Sequence, residues 1–229
     1  MSKITHNNII INDTIDNFIK KRTFQKNITK KKYYKSIIFL GPIGSYSHLA
    51  TLFYIKKNFF QKTVINISCH NFKEIFYYIN NKHINLAIVP IYNNNTGLIK
   101  EVFILLKQNY SLFIKNKFFV PIQHCLVSFK KNLVLNKIKK ILSHIEPLKQ
   151  CSIFIKKHPH WELQHCSSSS LAMKLIKINQ SKKLAAIGNK ISAKLHNLHI
   201  LKNKISNTVN NQTKFLVLEK NYYYNFIKK

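Results

Sequence analysis

Five short clusters hold the side chains with which this chain could do chemistry, and each lies at the end of an apolar run or the start of one. The first, Gly41-Pro42-Ile43-Gly44-Ser45-Tyr46-Ser47-His48, follows Ile37-Ile38-Phe39-Leu40. Where a strand turns into a helix, the helix's first N–H groups are free, and with the helix dipole they favour a carboxylate or phosphate. An ordinary strand-to-helix turn with a serine cap explains the same residues equally well, and the Lys-Ser/Thr ending of a nucleotide phosphate loop is missing. The second cluster, Pro90 to Gly97, offers the amide of Asn93 and neighbouring amides and a hydroxyl to a polar ligand, in a chain rich in asparagine throughout. The third runs from Ser143-His144 to Gln150-Cys151. Nucleophilic catalysis by this Ser–His pair would require the two side chains to meet, whereas neighbours on a strand point to opposite faces. The fourth, Ser167-Ser168-Ser169-Ser170, precedes an apolar helix and reads most simply as its cap. The fifth, Thr213-Lys214-Phe215, opens the last apolar strand and is unremarkable alone.

The elements that must carry these clusters alternate in type. Strands are expected at Ile37–Leu40, Val64–Ser68, Leu86–Val89, Ile141–Leu142, Glu162–His165, Ala185–Ile187 and Phe215–Leu218. Helices are expected around Leu49–Tyr54 and over Phe72–Tyr77, Leu98–Leu106, Leu148–Lys157 and Ser170–Lys177. Such alternation predicts an α/β fold with mainly parallel sheets. Ser111 to Ser128 reads as an extended crossover between two lobes, the second spanning roughly 118–195, and the final strand is expected to return to the first lobe. All five clusters then sit where open α/β sheets bind ligands, at strand ends and helix starts. Residues 1–35 form a lysine-rich extension and 221–229 a tail.

Composition narrows the function classes. The 229 residues carry 38 Lys+Arg against 7 Asp+Glu, a net charge of +31, yet Arg22 is the sole arginine. A phosphate-gripping surface usually keeps arginine for its bidentate fork. Lysine is enriched together with Asn, Ile, Phe and Tyr, the residues of A- and T-rich codons, so drift in the coding DNA explains the charge better than a nucleic-acid partner. Cys69, Cys125, Cys151 and Cys166 show no metal-ligand spacing and read as reduced apolar residues. With no signal-peptide core and no long apolar run, no membrane association is expected and the expected location is the cytoplasm.

Taken in order, these segments resemble one family. The markers are Phe39-Leu40-Gly41-Pro42-x-Gly44-Ser45-Tyr46-Ser47-His48, Val89-Pro90-Ile91-x-Asn93, Ile122-x-His124-Cys125-Leu126, Ser143-His144-x-x-Pro147-x-x-Gln150-Cys151, Pro159-His160-Trp161, Ser168-Ser169-x-x-Ala172-Met173, Ala185-Ala186-Ile187-Gly188 and Thr213-Lys214-Phe215. From about Ile37 to Lys220 the set closely resembles the catalytic domain of prephenate dehydratases, especially the bifunctional chorismate mutase/prephenate dehydratase type. The resemblance implies two α/β lobes of periplasmic-binding-protein-like (type II) architecture with the active site in the cleft between them. It implies conversion of prephenate to phenylpyruvate without a cofactor or metal, in a homodimer that binds this small molecule. By the same resemblance Thr213, Asn93, Ser143 and Gln150 are catalytic, and Ser45, Tyr46, Ser168, Ser169, Lys214 and Phe215 bind substrate.

Departures from the family pattern bear on activity. The Thr-Arg-Phe signature is Thr213-Lys214-Phe215, which keeps the charge and loses the fork, and the glutamate before the substrate-site asparagine is Tyr92. The chain stops soon after Lys220, where relatives continue into a phenylalanine-binding regulatory domain, so feedback control by that route is not expected. At the front, Ile10-Ile11-Asn12-Asp13-Thr14-Ile15 resembles the tail of a chorismate mutase helix, and mutase activity is not expected. Two alternatives stay open at this point: a decayed homologue that binds an aromatic acid with little turnover, and a relative acting on arogenate.

Overall fold

A computed structural model describes residues 9–12, 35–59, 64–81 and 84–220. These fall into two compact units, the first containing Ser47–Val120 with the chain up to Gly41 and from Thr213, the second made of Pro42–Tyr46 and Pro121–Gln212.

The first unit is built on a sheet in the order β1 (Ile9–Asn12), β3 (Val64–Cys69), β2 (Lys35–Leu40), β4 (Leu86–Asn93), β12 (Gln212–Lys220), β6 (Leu112–Pro121), with the short β5 (Gly97–Leu98) paired to β4. Strands β1, β3, β2 and β4 are parallel, and β12 returns to this sheet, as expected, antiparallel to β4. Ile37, Ile38 and Phe39 are consecutively buried because the sheet is covered on both faces. Ile38, Ala87, Leu216 and Leu218 pack toward α2 (Phe72–Asn81), and Ile37, Ile88, Phe215 and Val217 toward α1 (Tyr46–Asn58). Helix α2 starts on a reciprocal cap, in which Asn71 Oδ1 accepts from the Glu74 N–H at 2.8 Å while Glu74 Oε2 accepts from the His70 N–H at 2.9 Å.

Two expectations for this unit need correcting. The segment Ile9–Asn12 is a strand parallel to β3, not a helix tail. Its run of three isoleucines suits a pleated strand better than a helix, whose turns restrict β-branched side chains. The remaining residues of that segment, Asp13 to Ile15, lie outside the described residues, as do the tail 221–229 and most of the extension 1–35. The helix read as Leu98–Leu106 is α3 (Lys100–Gln108), because Gly97 and Leu98 instead pair with Asn93 and Tyr92 in a hairpin. The turn is set by Asn93, whose Oδ1 accepts from the N–H groups of Asn95 at 3.0 Å and Thr96 at 3.1 Å, and by Gly97 at φ +78°.

The second unit carries a five-stranded sheet in the order β11 (His199–Lys202), β7 (Cys125–Ser128), β10 (Leu184–Gly188), β8 (Lys140–Ser143), β9 (Glu162–His165). Strands β10, β8 and β9 are parallel, and β7 runs antiparallel to β10 and β11. Helix α6 (Ser169–Asn179) buries Ala172, Met173 and Ile176 against Cys125, Val127, Leu142 and Ala186. The unit runs to Gln212, past the boundary near 195 expected from the sequence, because β11 continues it beyond α7 (Lys190–Leu195); neither element has a sequence pattern strong enough to expect.

The helix expected over Leu148–Lys157 is broken into α4 (Ile145–Gln150) and α5 (Ser152–Lys156). The cause is a side chain inserted into the helix ladder. The Ile153 N–H, which would bond Lys149 O in a continuous helix, donates to Asn207 Oδ1 at 3.0 Å, and Asn207 Nδ2 donates to Lys149 O at 3.2 Å. Among the described residues no helix is long and apolar enough to cross a membrane.

Candidate active site

In the first unit, the pairing of β4 with β12 sets Thr213 directly opposite Asn93. The register shifts just beyond, between Lys214 and Phe215, so that Tyr92 faces Lys214 while Pro90 faces Phe215. This bulge leaves Ile91 as the extra residue next to a proline that cannot donate to a ladder, and the Ile91 carbonyl instead accepts from the Ile99 N–H at 2.9 Å. Asn93 and Thr213 are both buried at 7% exposure, and Asn93 Nδ2 donates to Thr213 Oγ1 at 2.8 Å. Because Oγ1 is the acceptor in that bond, the threonine's own O–H is left to donate elsewhere, and it meets no acceptor among the described residues. Lys214 beside it is half-buried, its Nζ 6.0 Å from the centroid of Phe119. Phe215 is sealed in the core at 1% exposure and stacks on Phe118. Its ring packs in the core beneath the strand that presents Thr213, with little surface left for the substrate contact expected of it.

His48 of the first cluster is likewise a packing residue. It lies 1% exposed on the ring of Phe39, and burial lowers its pKa to about 4, so the ring stays neutral.

In the second unit a hydroxyl chain forms at the start of α6. Ser168 caps the helix, its Oγ accepting from the Leu171 N–H at 3.0 Å. Ser169 Oγ lies 3.2 Å from Ser143 Oγ, and Ser143, fully buried, donates to the Ile187 carbonyl at 2.6 Å. With its one hydrogen committed there, Ser143 accepts from Ser169 and orients it. Ser143 and His144 form no dyad, since His144 is the cap of α4 and accepts at Nδ1 from the Glu146 N–H.

The loop carrying Ser45 is tied down from two helices: Ser170 Oγ donates to the Ile43 carbonyl at 2.7 Å and Asn189 Nδ2 to the Gly44 carbonyl at 2.7 Å. Gly44 has φ +91°, and a Cβ there would stand 2.7 Å from Ser170 Oγ and 2.9 Å from Ser192 Oγ, so only glycine fits without strain. Half-buried Ser45 donates its N–H to the Pro42 carbonyl at 3.0 Å, closing the turn into α1.

Tyr46 and Gln150 meet on a histidine for which the sequence suggested no role. Tyr46 Oη lies 3.0 Å from His124 Nδ1 and 2.9 Å from the Gln123 carbonyl oxygen, either of which can take its one hydrogen, while His124 Nε2 lies 2.9 Å from Gln150 Oε1. Asn211 Nδ2 donates to the same Gln150 oxygen at 3.0 Å. Burial raises the Tyr46 hydroxyl well above the usual phenol range and lowers the pKa of His124, the bond to Gln150 partly opposing the latter. His124 could have been suspected from its place after the proline that ends β6. Asn211 had no signal, being one of several asparagines in its stretch.

Thus the structure joins Thr213 to Asn93, Ser143 to Ser169, and Tyr46 to Gln150 through His124, and keeps Phe215 for the core. These are hydrogen-bonding groups suited to a polar, oxygen-rich ligand. Among the described residues no group of His, Cys, Asp and Glu is placed to hold a metal ion, and burial pushes the Cys69, Cys125 and Cys151 thiols up to about 12.

Comparison with known proteins places the chain. The model of the family described as prephenate dehydratase matches residues 37–222. A bifunctional chorismate mutase/prephenate dehydratase of Buchnera aphidicola subsp. Schizaphis graminum is 40% identical over 81% of this chain and 47% of its own length. The protein of the same description from Escherichia coli (strain K12) is 34% identical over 92% of this chain and 53% of its own. The prephenate dehydratase of Methanocaldococcus jannaschii is 32% identical, covering 81% and 65%. This chain therefore spans about half the length of the bifunctional relatives. Among solved structures, the prephenate dehydratase of Arthrobacter aurescens in complex with L-Phe shares the fold with TM-score 0.69 and 24% identity, covering 81% of this chain and 60% of that one. That of Staphylococcus aureus subsp. aureus Mu50 does so with TM-score 0.67 and 21% identity, covering 80% and 66%. By the family model and these relatives, the chain belongs to the prephenate dehydratase family.

Proposed function

We propose that this chain converts prephenate to phenylpyruvate, carbon dioxide and water, with Thr213 as the group that assists departure of the ring hydroxyl. The observation that carries this reading is the Asn93–Thr213 hydrogen bond, whose direction leaves the threonine O–H as a donor. In the reaction the bond to the ring carboxylate breaks and its electron pair enters the ring, the carbon–oxygen bond opposite breaks, and that oxygen takes up one proton and leaves as water. Aromatisation supplies the driving force, so no group that stores electrons is needed. A threonine hydroxyl is too weak an acid to surrender its proton outright; it hydrogen-bonds the departing oxygen and passes on a proton from solvent. A donor so placed contributes about 10²–10⁴-fold, and orientation and electrostatics supply the rest.

The substrate is a dianion. Lys214 provides a positive charge next to Thr213, and the amide of Gln150 is a donor of the type that carboxylate and keto oxygens accept. Ser143 takes the one hydrogen of Ser169 and leaves the Ser169 oxygen as an acceptor. The net charge of +31 favours arrival of the dianion from a distance.

The test is phenylpyruvate formation from prephenate by the purified, folded chain, with arogenate run in parallel. Phenylpyruvate from prephenate is expected. Turnover of arogenate alone would move the assignment to that substrate, and no turnover of either would overturn the enzyme reading.

A further inference from the structure

The Tyr46–His124–Gln150–Asn211 cluster lies within the second unit, and one of its atoms is conspicuous for what it lacks. Gln150 ends α4, where Asn207 interrupts the helix, and its side chain is half-buried. Its Oε1 stands between His124 Nε2 at 2.9 Å and Asn211 Nδ2 at 3.0 Å, while its Nε2 makes no hydrogen bond among the described residues. An amide oxygen between two nitrogens accepts from both, so His124 carries a proton on Nε2. That ring cannot turn easily: it is 2% exposed, its backbone N–H donates to Ser206 Oγ at 3.2 Å, and Tyr46 meets it edge-on with Oη at Nδ1. Asn211 is 1% exposed, and its carbonyl accepts from the Ile122 N–H at 2.8 Å, which fixes the second donor too.

We propose that His124 is a positioning residue: with Asn211 it holds the Gln150 amide with oxygen inward, so that the nitrogen is offered as a donor to a substrate oxygen. This rests on the dehydratase reading above. An amide free to rotate would offer a carboxylate or keto oxygen its own oxygen about as readily as its nitrogen, and the first orientation repels. Two buried donors on Oε1 remove it. His124 does not touch substrate in this scheme and neither gives nor takes the reacting proton; its effect passes through Gln150.

The experiment has two parts. In steady-state assays with prephenate, His124→Leu and Gln150→Ala are each expected to lower kcat/KM by about 10- to 100-fold, the scale of a misplaced substrate contact. The double variant is expected to be no worse than Gln150→Ala alone, because the histidine has nothing left to orient. His124→Gln, whose amide can still donate to Oε1, is expected to recover most of the loss. In parallel, nitrogen NMR of the ¹⁵N-histidine-labelled wild type is expected to show the His124 proton on Nε2. Losses that multiply in the double variant, or a ring protonated on Nδ1 alone, would overturn the inference while leaving the enzyme reading intact. Absence of turnover in the folded wild type would instead overturn the dehydratase reading and this inference with it.

Discussion

A threonine hydroxyl can both give and take a hydrogen bond, and which it does for substrate depends on its neighbour. At Thr213 the neighbour is an amide N–H, so Oγ1 is filled and the hydrogen is left over. Replacing the amide by a carboxylate reverses this. In Asn93→Asp the side chain can still accept from Asn95 and Thr96, but it now accepts the Thr213 hydrogen as well and turns the donor inward. We expect kcat to fall by about 10²-fold or more with the fold retained, read in steady-state assays against circular dichroism; an unchanged kcat would mean that the direction of this bond is irrelevant. Lys214 makes a separate point. It supplies charge without a planar fork, so Lys214→Arg is expected to lower KM for prephenate severalfold with little change in kcat. An unchanged or higher KM would remove Lys214 from substrate binding.

At the scale of elements, the clusters depend on local backbone features that only partly show in the sequence. The loop with Gly44 is held by Ser170 and Asn189, and its positive φ excludes a Cβ. Gly44→Ala should therefore cost more than about 1 kcal/mol of stability, measured by urea unfolding, and should impair turnover by displacing Ser45 and Tyr46. Unchanged stability would mean that the loop is not strained.

The central strands β2, β3, β4, β8, β10 and β12 are legible as apolar runs, because strands buried on both faces need nearly continuous hydrophobicity, whereas exposed β11 is not. Most helices were legible from their spacing. The break at Cys151 was not, since it is made by Asn207, far along the chain, and no local pattern reports a distant side chain. The apolar character of Leu98 fits a helix, whereas the Asn93 turn and Gly97 pull it into a hairpin. Of the site, the family resemblance picked out Thr213, Asn93 and Gln150 from ordered motifs. Phe215 of the same signature lies buried in the core, and His124 has no role legible in the sequence because its partners come from three separate stretches.

The whole molecule carries a charge that should act on stability and activity in opposite directions. With 38 basic residues against 7 acidic ones, most lysines have no acidic partner, and the three ion pairs among the described residues are at least partly exposed. Self-repulsion disfavours the compact state, so raising salt from about 20 to about 300 mM should raise Tm by a few degrees. The same screening weakens attraction of a dianionic substrate, so kcat/KM should fall over that range. A Tm that falls with salt, or a kcat/KM that does not respond, would show that the charge is electrostatically idle. The central claim, however, concerns one hydroxyl in one reaction, and the direct measurement is phenylpyruvate production at saturating prephenate by wild type and by Thr213→Val, with folding of both verified. We expect wild-type turnover and a loss of about 10²–10⁴-fold in the variant. Equal rates in the two proteins would contradict the role of Thr213, and no product from folded wild type would contradict the assignment itself.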